Sequence, residues 1–253
     1  MSDISALVDV MKRLRGQEGC PWDREQNHES LKPYLIEEAY EVLDAIDKND
    51  DRALMEELGD LLLQVVFHAQ IAAEENRFTI EDVAGTIVGK LKRRHPHVFG
   101  DLEVRDSEEV LRNWEEIKKG EGNESVLSGV PGGLPALLRA RRVQEKAKRV
   151  GFDWDSIDGV MAKVIEEMRE LKEASESGDR ARVDEEFGDL LFSLVNFSRF
   201  LRVDAEDSLR KTIDKFSARF QAMERRAKEI GISSLESCTL EEMDRLWEEA
   251  KDA

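Results

Sequence analysis

Two stretches of the chain place carboxylates where helix geometry would bring them together. Glu38 with Glu41, and Glu57 with Asp60, stand three residues apart, and side chains at that spacing share one face of an α-helix. The same spacing recurs in Glu167 with Glu170 and Glu186 with Asp189. If the two helices of each set pack antiparallel, four carboxylates converge. Such a group would repel itself or take up protons unless a hard cation kept it ionised. Oxygen donors select Mg²⁺, with Mn²⁺ as a substitute. The plain alternative is a set of glutamates on solvated helix faces. Against it stand the duplication and the strongly apolar runs GDLLLQVVF and GDLLFSLV that contain Asp60 and Asp189.

The elements that must position these acids are repeated too. LIEEAYEVLDAIDKNDDRALMEELGDLLLQVVFHAQ at 35–70 matches VIEEMRELKEASESGDRARVDEEFGDLLFSLVNFSR at 164–199 residue by residue, so that Glu38 and Glu57 fall on Glu167 and Glu186. Trp22-Asp23 precedes the first acidic set as Trp154-Asp155 precedes the second, and NWEEIK around Trp114 echoes RLWEEAK around Trp247. Apolar residues at Leu35, Val42, Leu43 and Ile46, then Leu54, Leu58, Leu61, Leu62 and Val65, follow helical spacing. DKNDD and SESGD are turns that end one helix and cap the next. Further helices are expected near 3–15, 79–94, 107–118, 134–149, 204–229 and 240–251. Glycine, serine and proline concentrate at 119–135, predicting a linker between an N-terminal unit at 1–118 and a C-terminal unit at 136–253.

Composition supports an all-α chain, with 37% charged residues, 40% hydrophobic and five prolines. A net charge of −18 disfavours nucleic-acid binding, which needs a concentrated basic surface. It would repel a free nucleoside triphosphate too, unless divalent cations bound first. The two cysteines, Cys20 and Cys238, lack CxxC spacing and fit a reducing cytoplasm. No apolar run is long enough to cross a bilayer.

Lys215 with Arg219, mirrored by Lys90 with Arg94, stand four apart on one helix face; such a pair reads either as a solvated face or as a phosphate contact. Trp247, and Trp114 by repeat, are candidates for stacking on a nucleobase or for packing their own helices. Trp22 and Trp154 read as structural anchors. His95 and His97 flank Pro96 and read as a turn, and His68 as a helix residue without ligand duty. Gly59 and Gly188 lie inside helices, where each costs ~1 kcal/mol relative to alanine; close approach of a neighbouring helix is the favoured reason.

Two EExxE plus ExxD sets, with CPWDREQ near the start and KLKRRHPHVFGD before the linker, resemble the MazG family over nearly the whole chain. A single such set also occurs in all-α dimeric dUTPases and phosphoribosyl-ATP pyrophosphohydrolases, so the tandem arrangement and CPWD are the more specific features. The resemblance implies two four-helix-type units whose bundles are completed by helices of a homodimer. It implies Mg²⁺-dependent hydrolysis of nucleoside triphosphates, ribo and deoxy, to the monophosphate and diphosphate, with broad base use. Catalysis would centre on the C-terminal unit, with Glu167, Glu170, Glu186 and Asp189 as metal ligands. Glu38, Glu41, Glu57 and Asp60 match equally well. The candidate proton acceptors for an attacking water are Glu166 and Glu185. Two other readings stand beside this one: a pyrophosphohydrolase restricted to one base or to an alarmone, and an acidic helical protein that binds a basic partner without chemistry.

Overall fold

The computed structural model describes residues 4–106, 109, 110, 113, 114, 117, 125–232 and 234–251. Contacts divide the chain into two compact units, Met1–Lys119 and Gly120–Ala253. Helices carry both, and no strand occurs among the described residues.

In the first unit, α1 (Ile4–Arg15) ends at a tight loop, followed by the short α2 (Pro21–Glu25), α3 (Lys32–Lys48), α4 (Asp51–Glu74), α5 (Ile80–Arg94) and α6 (Pro96–Phe99). The hairpin of α3 and α4 turns at Asn49, in the left-handed region at φ 51°, and Asp50, whose carboxylate accepts from the backbone N–H of Arg52 and Ala53. Val8 and Met11 of α1 meet Leu31 and the Val66, Phe67 and Ile71 stripe of α4 to form the core. Arg15 closes one end, donating to Glu74 at 2.8 Å, to the carbonyl of Gln26 and to that of Asp23. The loop between α1 and α2 needs glycine at 19, where a Cβ would lie 2.1 Å from the Leu14 carbonyl oxygen.

The second unit contains α7 (Ala136–Lys148), α8 (Ile157–Ser177), α9 (Arg180–Phe200), α10 (Ala205–Glu229), a 3₁₀ turn at Leu235–Ser237, and α11 (Leu240–Glu249). Its hairpin turns at Gly178, φ 74°, and Asp179 caps α9 through the N–H groups of Ala181 and Arg182. α10 and α11 pack through Met223, Ala227 and Leu246. Within the segment expected to be linker, Val126 and Ser128 are held to α7, whose Lys146 Nζ donates to the carbonyls of Ser128 at 2.7 Å and Val126 at 3.3 Å. The helix expected at 107–118 lies largely outside the described residues; Glu109, Val110, Asn113, Trp114 and Ile117 are helical.

The packing reason expected for Gly59 and Gly188 fails within the chain. A Cβ at either position meets nothing within 4 Å, because both face outward from their hairpins.

Candidate active site at two carboxylate clusters

α8 buries Val160, Val164, Glu167 and Ala174. These residues step by four, three and seven, so Glu167 occupies the core-facing stripe and is only 5% exposed. Across the hairpin, Glu186 and Asp189 stand three apart on α9. Carboxylate oxygens of Glu167, Glu186 and Asp189 lie within 4.8 Å of one another. In the first unit the corresponding group is Glu38, Glu41 and Glu57. Each hairpin therefore gathers three of its four expected acids into so tight a group. Glu170 stands outside the group in the second unit and Asp60 in the first, although the charge of Asp60 still acts on Glu38 and Glu57.

The two clusters differ in how their charge is met. Burial, and then the charges of Asp60 and Glu41, push the Glu38 carboxyl above the ordinary range, against a hydrogen bond with Gln64. Glu57 moves the same way through burial and through Glu41 and Asp60. In the second unit a cation intervenes: Lys163 Nζ lies 2.8 Å from Glu167 and 2.9 Å from Glu166. These hydrogen bonds raise the Lys163 pKa. Arg182 Nε adds a weaker contact with Glu186 at 3.5 Å. Lys163 escapes a reading based on the repeat, because the first copy has Tyr34 at that position.

Glu166 and Glu185, the candidate proton acceptors, are exposed and lie outside the tight group. Lys215 and Arg219 are on α10, a separate helix from those bearing the acids. Trp247 belongs to the α10 and α11 packing, with its ring centroid 5.1 Å from that of Phe216. In the first unit Lys90 is exposed on α5, and the Arg94 guanidinium lies over the Trp114 ring at 5.8 Å.

Sequence reading also missed a histidine pair. His28 and His68 stack with centroids 5.1 Å apart and Nδ1 atoms at 2.8 Å, while Arg77 Nη2 lies 2.7 Å from His28 Nε2. Arginine can only donate, so His28 Nε2 accepts and its Nδ1–H donates to His68. Burial and His28 lower the His68 pKa. His95 takes the turn role expected of it, capping α5 with Nδ1 at 2.7 Å from the Leu91 carbonyl.

Each unit is thus a helical hairpin that converges carboxylates from two helices, with helices alone among the described elements, and the family match places this frame in the class of nucleotide pyrophosphohydrolases. The MazG nucleotide pyrophosphohydrolase domain matches it twice, at residues 26–99 and 156–223. The chain belongs to the MazG nucleotide pyrophosphohydrolase family and is accordingly a hydrolase. Among its relatives, a Thermotoga maritima protein named nucleoside triphosphate pyrophosphohydrolase/pyrophosphatase MazG is 53% identical over 97% of this chain and 94% of that protein. The nucleoside triphosphate pyrophosphohydrolase of Escherichia coli is 45% identical over 99% of this chain and 98% of its own length. A Bacillus subtilis protein, YabN, is 50% identical over 99% of this chain but only 52% of its own length.

Proposed function

We propose that the chain hydrolyses ribo- and deoxynucleoside triphosphates between the α- and β-phosphates, giving the monophosphate and diphosphate, at the carboxylate cluster of the second unit. The observation that carries this reading is the convergence of Glu167, Glu186 and Asp189 within 4.8 Å on a hairpin of a pyrophosphohydrolase family. The names of the Thermotoga and Escherichia relatives support the substrate class.

Three oxygen donors at this separation fit a hard cation, Mg²⁺ or Mn²⁺, that keeps further positions for water and phosphate oxygens. Glu167, Glu186 and Asp189 would hold it, with Glu170 one turn further along α8. When bound, such an ion neutralises phosphate charge and lowers the pKa of a water. Lys163, one turn before Glu167, presents an ammonium to the same space. Glu166 and Glu185 are the neighbouring carboxylates assigned to accept the water's proton. Lys215 and Arg219 are assigned to the phosphates, and Trp247 to the edge of the nucleotide site. In the first unit Glu38, Glu41 and Glu57, with Asp60 beside them, would hold the same cation, with Lys90, Arg94 and Trp114 in the matching roles. We assign the chain to the cytoplasm, in keeping with its two free cysteines, and expect it to work as a homodimer without nucleic acid.

Chromatographic product analysis after incubation with Mg²⁺ and each triphosphate tests the reading, alongside Glu167→Ala and Glu38→Ala. The expected result is monophosphate plus diphosphate, lost in Glu167→Ala and kept in Glu38→Ala. Nucleoside diphosphate plus phosphate, or no turnover, would overturn it.

A further inference from the structure

The acid clusters of the two units differ in whether a cation of the chain's own already meets them. In the second, Lys163 Nζ stands 2.8 Å from Glu167, the buried member of the group, and 2.9 Å from Glu166, while Arg182 Nε reaches Glu186 at 3.5 Å. In the first, the repeat puts Tyr34 in the place of Lys163. Among the described residues no lysine or arginine pairs with Glu38, Glu41 or Glu57; Arg52 of α4 pairs with Glu56 instead, at 3.2 Å. Three carboxylates within 4.8 Å thus face one another, and the charge of Asp60 is added to theirs. Like charges this close repel unless a cation joins them.

A buried amide stands beside this uncompensated group. Gln64, one turn beyond Asp60 on α4, is only 6% exposed and hydrogen-bonds to Glu38, while its Oε1 is buried and has no partner. Buried amide oxygens are ordinarily paired, and a glutamine oxygen next to carboxylates suits a hard cation or a water bound to one. The repeat has Ser193 at this position in the second unit, so the amide belongs to the first cluster alone.

We propose that the first cluster holds a resident divalent cation in the nucleotide-free protein, whereas in the second Lys163 is a tethered competitor that keeps the metal weakly bound when no nucleotide is present. The inference rests on the reading of both clusters as cation sites and adds an order of filling to it. The first cation braces the hairpin of α3 and α4. The second arrives with the substrate, whose phosphates offer oxygen ligands to the ion and a new partner to the ammonium.

The test counts Mn²⁺ bound to the full-length protein without nucleotide, from the electron paramagnetic resonance signal of the free ion. The unaltered protein is expected to hold one tight ion per chain, lost in Glu38→Gln and in Glu57→Gln but kept in Glu167→Gln. Lys163→Met is expected to tighten the weaker site about tenfold, because it leaves the buried Glu167 carboxylate without a cation, and Lys163→Arg, which keeps the charge, to leave that site weak. Two ions of equal affinity, no ion at all, or a tight ion lost in Glu167→Gln rather than in the first-unit variants would overturn the inference. So would a Lys163→Met protein that binds Mn²⁺ as the unaltered one does. The stoichiometry and affinity classes of the unaltered protein need no variant, and two first-unit variants guard against one that fails to fold. Diphosphate release from ATP on the same preparation keeps the two readings apart: turnover with two equal ions sinks only the order of filling, and one tight first-unit ion without turnover sinks only the hydrolase reading.

Discussion

Single residues decide how each cluster carries its charge, and the two copies should respond oppositely to mutation. Glu38 sits among Glu41, Glu57 and Asp60, and its raised pKa reports a carboxylate disfavoured in its ionised form. Glu38→Gln is therefore expected to raise the melting temperature of metal-free protein at neutral pH and to shrink the further rise on adding Mg²⁺. Lys163→Met should do the reverse in the second unit, leaving the buried Glu167 carboxylate without its cation. Because Lys163 is partly solvated, the loss is put at about 1 kcal/mol, to be read by urea denaturation with and without Mg²⁺. His68 supplies a pH dependence. Its folded pKa lies below the ordinary value near 6.5, so the unfolded chain binds the proton more readily. Its contribution to stability is complete above that value and is lost as pH falls towards the folded pKa. A titration of the denaturation midpoint should show this loss below pH ~6.5, and His68→Phe should remove it.

The hairpin is the element that turns acid spacing into a site. Asp50 and Asp179 each cap the second helix of a hairpin, satisfying backbone N–H groups that the helix leaves unpaired. Asp179→Ala is expected to cost ~1 kcal/mol and to loosen the first turn of α9, two turns before Glu186 and Asp189. The check is a lower denaturation midpoint together with weaker Mg²⁺ dependence of turnover. These caps and turns were legible in DKNDD and SESGD because local sequence sets local backbone. The outward placement of Gly59 and Gly188 was not legible, since a glycine's propensity cost does not reveal which neighbour, if any, approaches it.

For the whole molecule, apolar surface is the unresolved account of a single chain. Ile165 and Met168 on α8, Phe187 on α9, and Ile213 and Phe216 on α10 are each more than half exposed. Large apolar side chains clustered on neighbouring helices point to a covering partner, and a second copy supplies one by symmetry. Light scattering is expected to give twice the mass of one chain, and a monomer at micromolar concentration would overturn the homodimer.

Sequence alone determined the all-α class, the hairpin turns and the acid-bearing helices, because each depends on periodicity or spacing within a short window, and it showed the duplication and the family through likeness of whole motifs. Tertiary structure decided the rest. Which three acids meet differs between the copies, with Asp60 outside one group and Glu170 outside the other, because side-chain direction across a hairpin is set by packing. Lys163 became part of the second cluster through a contact that has no counterpart at Tyr34. Gln144 donates to the Phe192 carbonyl only because α7 packs against α9, which leaves its amide oxygen buried and unpaired, as that of Gln64 is in the first unit. An unsatisfied group is a property of its surroundings, and those surroundings come from residues far apart in the chain.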